Sequence, residues 1–333
     1  MLEPKTIGII GSGNIVFTAH LPLLKAIGTE PKWILDISKK NADTAAKAFS
    51  IPLALSPDEL DKTTPTDLVM LACPYGTRKP YYEFLKDKPA ALYIEKPVAK
   101  SLRELREINS LRDDYAICSG LLRRRMGIVQ IVKGLIEDRV FGALRSVRSN
   151  FGTATQTSSG ASFAKNLALA GGGQLFESAI HNIDAICYMA NIERANVVRK
   201  EMEHENGFDL HTQALIELQD RDGHVVEMEL LVTCFHSAGY HICMKFDHAT
   251  LTFSLFDYAV PVLRAGKSGR AYKIVDALLE DYPRNQYDVM YAFWKDFHVA
   301  LKTRTANYTN LCDAVATTEI IEQLYSPVLQ GAE

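Results

Sequence analysis

The apolar run TIGII (6–10) leads directly into Gly11-Ser12-Gly13-Asn14-Ile15-Val16, and a second apolar run, KWILDI (32–37), follows a helix-compatible stretch. No other feature restricts the chain as much. A strand, a glycine-rich turn and a helix returning to a parallel strand form a βαβ unit, whose sheet must be covered on both faces. Further strands are predicted at DLVMLA (67–72), AALYIE (90–95) and YAICSG (115–120). Several are apolar throughout, as strands buried on both sides must be. Helix starts fall between them: Ser56 with Pro57 and Glu59, and Ser101 with Glu104, each pair an N-cap with an acid three residues on. Residues 1–119 therefore read as a doubly wound parallel sheet.

The turn matches G-x-G-x-x-G at its first two glycines and carries Val16 at the third. The first glycine permits the tight turn. The second lets the backbone approach a pyrophosphate, whose charge then meets unpaired N–H groups at the helix start. Gly11, Ser12, Gly13, Asn14 and Ile15 are thus candidate dinucleotide contacts. The third position serves helix-to-strand packing, so Val16 predicts a slightly wider gap. Asp36, 25 residues after Gly11, ends the second strand, where a carboxylate accepts hydrogen bonds from both ribose hydroxyls of NAD and repels a 2′-phosphate. Lys39 and Lys40 lie close enough to offset part of that repulsion, so NAD is favoured and NADP stays open.

At 333 residues the chain exceeds one ordinary core and predicts a second domain over 120–333. A helix-period stripe of Val129, Val132, Leu135 and Ile136 stops near Gly142. Alternating segments then follow at 143–152, 194–203, 210–218, 224–235 and 241–257, which suit one large, mostly antiparallel open sheet in an α+β domain. Met290, Phe293, Trp294, Phe297 and Leu301 fall at helical spacing and a last helix is expected over 310–325; both are read as core helices able to pack back on the first domain.

Composition narrows the function classes. Hydrophobic residues make up 47% and no run approaches the roughly 20 apolar residues of a membrane span. The start MLEPKTIGII has no secretory pattern, so a cytoplasmic protein with no membrane partner is expected. A net charge of −3, with the densest basic patch only Arg123 to Arg125, argues against nucleic acid. Six cysteines without a CxxC pair read as reduced, mostly buried thiols, and nine histidines without HxxxH spacing predict no metal. A small-molecule partner is what remains.

Two constellations carry chemistry. Glu95, Lys96 and Pro97 end a parallel strand, and ligands of open parallel sheets bind beyond the carboxyl ends of the strands. A lysine there can hydrogen-bond a substrate hydroxyl and stabilise alkoxide character as hydride leaves, with Glu95 orienting it. In GGGQLFESAIHNIDAICYM (171–189), Glu177, His181 and Asp184 share one helix face by spacing. His181 suits the uptake of a hydroxyl proton, and a carboxylate one turn away can orient its ring. The glycines are expected to leave room for a ligand.

Together the stretches IGIIGSGNIVFTAHLPLL, IEKPVAKS, LLRRRMGIVQIVKGLIEDRVFGALRSV and GGGQLFESAIHNID resemble, in order and over nearly the whole chain, the Gfo/Idh/MocA oxidoreductase family. The resemblance implies an N-terminal Rossmann domain and a C-terminal α/β domain whose open sheet carries substrate on one side and often an oligomer interface, in a homodimer or homotetramer. It implies Lys96 and His181 as the catalytic pair with Glu177 beside the substrate, which would be a sugar, sugar derivative or cyclitol. It also implies Cys73 and Pro74 along the nicotinamide side of the cofactor and Arg124 near the substrate. Glu177 stands where the family usually has aspartate, Arg78 where histidine is common, and Cys73 and Tyr75 where threonine and asparagine are common. Arg78 is thereby expected to offer a cation to the cofactor or to an anionic substrate. The family further contains a non-enzymatic dinucleotide- and sugar-sensing regulator and redox-neutral glycosidases that use NAD transiently; these are the alternative functions.

Overall fold

The computed structural model describes residues 4–152, 154, 162–256, 262–265, 270–273, 283, 285–306 and 310–327. The apolar runs of the first third become a six-stranded parallel sheet: β1 (Thr6–Ile10), β2 (Glu30–Leu35), β3 (Leu53–Leu55), β4 (Leu68–Leu71), β5 (Ala91–Ile94) and β6 (Ile117–Ser119), in the order β3-β2-β1-β4-β5-β6. Strand order reverses between β1 and β4, which opens a crevice at their carboxyl ends. Helices α1 (Leu21–Ala26), α2 (Lys39–Phe49), α3 (Lys79–Leu85) and α4 (Leu102–Asn109) lie on its connections. Ser101 caps α4 by accepting from the Glu104 amide. The capping box of Ser56 and Glu59 also forms, but only a 3₁₀ segment, Pro57–Lys62, follows it. None of its residues is buried, so no apolar stripe pays to extend it. Strand β2 ends before the expected KWILDI limit: Asp36 turns toward Ser12, and Ile37 is 86% exposed.

The second sheet comprises β7 (Leu144–Gly152), β8 (Ile192–Glu205), β9 (Phe208–Asp220), β10 (Val225–Thr233), β11 (His241–Phe246), β12 (Ala249–Ser254), β13 (Val262–Ala265) and β14 (Ala271–Lys273), in the order β14-β13-β12-β11-β7-β10-β9-β8. All neighbours pair antiparallel except β7 and β10, which are parallel. The expected single strand 241–257 is instead a hairpin, since the chain reverses at Asp247 and His248; residue 257 lies outside the described residues. Burial alternates along β10, with Val226, Met228, Leu230 and Val232 inward. They share a core with residues of α5 (Gly127–Glu137), α7 (Ile180–Met189) and α9 (Val315–Tyr325); a short α6 (Leu167–Ala170) precedes α7.

Helix α8 (Gln286–Thr303) joins the two cores. Its Val289 belongs to the core of the large sheet, whereas Phe293, Trp294 and Phe297 pack with Ile7, Ile9, Tyr93 and Cys118 under the parallel sheet. These three aromatics are at most 1% exposed, and burial of a phenylalanine-sized side chain is worth about 1.5–3 kcal/mol. No helix among the described residues is long and apolar enough to cross a membrane.

Candidate active site

The glycine turn after β1 is built for close approach. Gly11 has φ +102°, and a Cβ there would stand 2.7 Å from the Ala72 carbonyl carbon and oxygen. Gly13 is the opposite case: a Cβ would meet nothing within 4 Å, so space is open above the turn. Helical structure starts at Asn14, and the first amides of a helix have no intrahelical acceptor. This edge fits a pyrophosphate. The carboxylate of Asp36 reaches back to it: Oδ2 accepts from the Ser12 N–H and Oγ–H, both at 2.7 Å, and Oδ1 accepts from the Ser38 amide at 2.8 Å. Lys39 Nζ is turned to Asp43 at 2.6 Å and to the Ala54 carbonyl rather than to Asp36. Val16 is fully buried beside β1, and from it to His20 the helix is a π turn in which Leu21 N–H bonds to the Val16 carbonyl.

Beyond the ends of β5 and β6 lies a cleft of about 170 Å³. Its walls are Ile15 of the glycine turn, Glu95, Lys96 and Gly120 at the strand ends, Leu122 and Arg123, His181 of α7, and Gln286, Val289 and Met290 of α8. Lys96 and His181, 85 residues apart in the chain, thus face one space. Lys96 Nζ donates to the Glu177 carbonyl at 2.7 Å. Burial lowers the Lys96 pKa, with Arg123 and Arg78 adding to the shift and Glu95 and Glu177 opposing it. His181 is pushed well below 6.5 by burial and by the charges of Lys96 and Arg123, so it is a neutral base near pH 7. Its Nδ1 is buried and has no hydrogen-bond partner among the described residues.

Glu95 does not hold the Lys96 ammonium by a direct hydrogen bond. Its Oε1 accepts from Tyr93 Oη at 2.6 Å and pairs with His20 Nε2 at 2.9 Å, and its Oε2 accepts from the Lys96 backbone N–H at 3.1 Å. Burial alone would raise the Glu95 pKa, but the His20 and Tyr93 hydrogen bonds and the Lys96 charge outweigh it, and the net shift is downward. Gly120 is required here, since a Cβ would stand 2.8 Å from Glu95 Oε2.

Several expectations are corrected. Asp184 does not orient His181: it takes a two-point ion pair from Arg124, Nε to Oδ2 at 2.9 Å and Nη2 to Oδ1 at 2.6 Å, and a bond from Thr317 Oγ1. Arg124 is therefore fully buried away from the cleft, and its neighbour Arg123 takes the place expected of it, over the Phe256 ring at 4.9 Å. The cause is local: Leu122–Arg125 is a 3₁₀ turn, so successive side chains diverge by about 120°. Arg78 offers no cation to a ligand either. It is 2% exposed and ties the loop after β4 to the turn after β5, Nε to the Cys73 carbonyl at 3.1 Å and Nη1 to the Pro97 carbonyl at 2.6 Å. Cys73 is buried and Pro74 half-buried beside this tie.

Nor do Gly171 to Gly173 leave room for a ligand; they admit neighbours. A Cβ on Gly171 would collide with the Tyr75 ring, on Gly172 with Tyr325 Oη, and on Gly173 with the Asp209 backbone. The Asp209 carboxylate accepts from the Gly173 and Leu175 amides at 2.6 and 2.7 Å and from Tyr325 Oη, anchoring the start of the helix that carries His181. That helix begins with a second π turn, Leu175–Ala179, so Glu177 and His181 do not lie at simple α-helical spacing. Glu177 enters the arrangement through its carbonyl. Sequence reading missed His20, whose only signal was a histidine in the first crossover, and the α8 wall, whose helical spacing reads as core.

Comparison with known proteins agrees with this architecture. Residues 5–115 match the family model described as an oxidoreductase family with an NAD-binding Rossmann fold, and residues 129–248 match the GFO/IDH/MocA C-terminal domain. Glucose-6-phosphate 3-dehydrogenase of Bacillus subtilis is 29% identical over 150 residues, which is 44% of this chain and 42% of that protein, so the alignment spans less than half of either. Among solved structures, an aldose-aldose oxidoreductase from Caulobacter crescentus complexed with glycerol superimposes with a TM-score of 0.79 at 16% identity, covering 97% of this chain and 96% of that one. A levoglucosan dehydrogenase in complex with NADH and levoglucosan gives 0.78 at 16% identity over 96% and 95%. A 3-ketoreductase from Actinomadura kijaniata in complex with NADP and TDP-benzene gives 0.78 at 15% identity over 96% and 97%. With both parts of its fold matched in order, the chain belongs to the Gfo/Idh/MocA family of oxidoreductases.

Proposed function

We propose that the protein is an NAD-dependent dehydrogenase that oxidises a secondary alcohol of a sugar, a sugar derivative or a cyclitol. The observation that carries this reading is the convergence of Lys96 and His181 on one cleft beside the glycine turn. NAD supplies the hydride acceptor. Gly11 to Ile15 would hold its pyrophosphate and Asp36 its adenosine ribose, with Cys73 and Pro74 beside the nicotinamide. Asp36, with Lys39 engaged elsewhere, favours NAD over NADP.

In the cleft, the Lys96 ammonium donates to the substrate oxygen and stabilises negative charge developing there as hydride departs. His181, neutral at working pH, takes the hydroxyl proton. The Glu177 carbonyl holds Lys96 in reach, and the Glu177 side chain would meet the substrate. Arg123 adds a cation to the wall, and the curated relative is named for a phosphorylated hexose, so sugar phosphates belong in the substrate panel.

The test is a spectrophotometric screen of sugars, sugar phosphates and cyclitols with NAD and with NADP. Reduced NAD should accumulate with at least one member of the panel, and Lys96→Met and His181→Ala should each lower kcat by about 100-fold or more while cofactor binding, read by fluorescence titration, persists. Full activity in either variant overturns the assignment, and preference for NADP overturns the role given to Asp36.

A further inference from the structure

Behind the cleft, on the side away from substrate, lies a polar chain buried between the parallel sheet and α8. Trp294 Nε1 donates to His20 Nδ1 at 3.1 Å; both residues are 0% exposed. An indole N–H can only donate, so His20 Nδ1 must be an acceptor and the ring proton sits on Nε2. Nε2 is 2.9 Å from Glu95 Oε1 and therefore donates to it. Tyr93 Oη donates to the same oxygen, and the Tyr93 ring stacks on Trp294 with centroids 4.8 Å apart. With Nδ1 protonated instead, Nε2 would present a lone pair to a buried carboxylate and so weigh against its negative charge.

We propose that Trp294, His20 and Tyr93 form a positioning relay that fixes Glu95 as an oriented carboxylate beside Lys96, from whose backbone N–H it accepts at 3.1 Å and with which it shares the cleft wall, so that its negative charge favours the ammonium. His20 and Trp294 are positioning residues: neither lines the cleft, and each acts through the next. Because Trp294 belongs to α8, docking of that helix is a condition for the charge state of a lysine on β5's end. The charged and titratable groups facing Lys96 are Glu95, Glu177, Arg123, Arg78 and His181. Those facing Glu95 are His20, Tyr93, Lys96 and Cys118. Of the two anions beside Lys96, Glu95 is the one the relay controls.

The proposal rests on the dehydrogenase reading only for the use made of Lys96 in turnover, so its test reads protonation directly. The Nζ resonance of Lys96 in 15N-lysine-labelled protein, assigned by its loss in Lys96→Met, is titrated in wild type, Trp294→Phe, His20→Leu and His20→Gln. Trp294→Phe keeps the ring and removes the N–H. His20→Gln restores an acceptor toward Trp294 and a donor toward Glu95 at nearly the ring-nitrogen spacing. We expect the Lys96 midpoint to fall by half a pH unit or more in Trp294→Phe and in His20→Leu, and to return most of the way in His20→Gln. If His20→Leu fails to fold, Trp294→Phe and His20→Gln decide the matter. A midpoint that stays at the wild-type value in folded Trp294→Phe overturns the relay. Absence of turnover in wild type with the titration shifts intact would remove the dehydrogenase reading and leave the relay standing.

Discussion

His181 combines two properties: its Nδ1 has no hydrogen-bond partner among the described residues, and two cations, Lys96 and Arg123, act on its ring. Burial and those charges disfavour the imidazolium, so protonation sets in only well below pH 6.5. Oxidative kcat/KM should therefore hold as pH falls through 6.5 and decline only at lower pH. Arg123→Gln removes one opposing charge and should move that acid limb upward; pH-rate profiles of the two proteins check this, and a limb that does not move contradicts the placement of Arg123. The same residues mark the limit of legibility in the sequence. Lys96 and His181 could be found because a strand end and a helix periodicity each announce a direction. Choosing Arg123 over Arg124 could not, since three consecutive arginines differ only in the angle a 3₁₀ turn gives them. Asp184 meets the same limit: spacing places it on a helix face but does not say which partner waits there.

At the scale of elements, short ties between loops do more than the helices' own propensities. Arg78 bridges the loop after β4 and the turn after β5 through two carbonyls. Arg78→Met keeps most of the volume and strips both donors, and a buried acceptor left unpaired costs about 1–3 kcal/mol. Equilibrium urea unfolding should show a loss of roughly 2–6 kcal/mol for the two together. Gly173 faces the Asp209 backbone, so Gly173→Ala must push β9 away from the helix start. We expect about 1–3 kcal/mol of destabilisation from such overpacking, with a disproportionate loss of activity because the helix that moves carries His181. Unfolding and kinetics on one preparation separate the two effects. The strands were legible because apolar runs and alternation are properties of a few neighbouring residues. The π turns at Val16–His20 and Leu175–Ala179 were not, because a π turn depends on what the helix packs against rather than on a local pattern.

Across the whole molecule, the cleft is assembled from Ile15, the ends of β5 and β6, α7 and α8, and the buried pair of Arg124 and Asp184 fastens the middle of that set to α9 through Thr317. Asp184→Ala strips the buried guanidinium of its two-point partner and leaves it with Asp313 at 3.8 Å, which costs about 3–5 kcal/mol; thermal unfolding should report it as a large fall in Tm, and a loss under 1 kcal/mol would mean that Asp313 compensates the Arg124 charge. Helix α8 has a further consequence, which appears when the chain is considered in time. A ribosome releases the parallel sheet first, and at the usual 5–20 residues per second Trp294 emerges about 9–35 s after Cys118. Through that interval the face of Ile7, Ile9 and Tyr93 that α8 will cover is bare, and the nascent chain carries its own hydrophobic patch until α8 closes it.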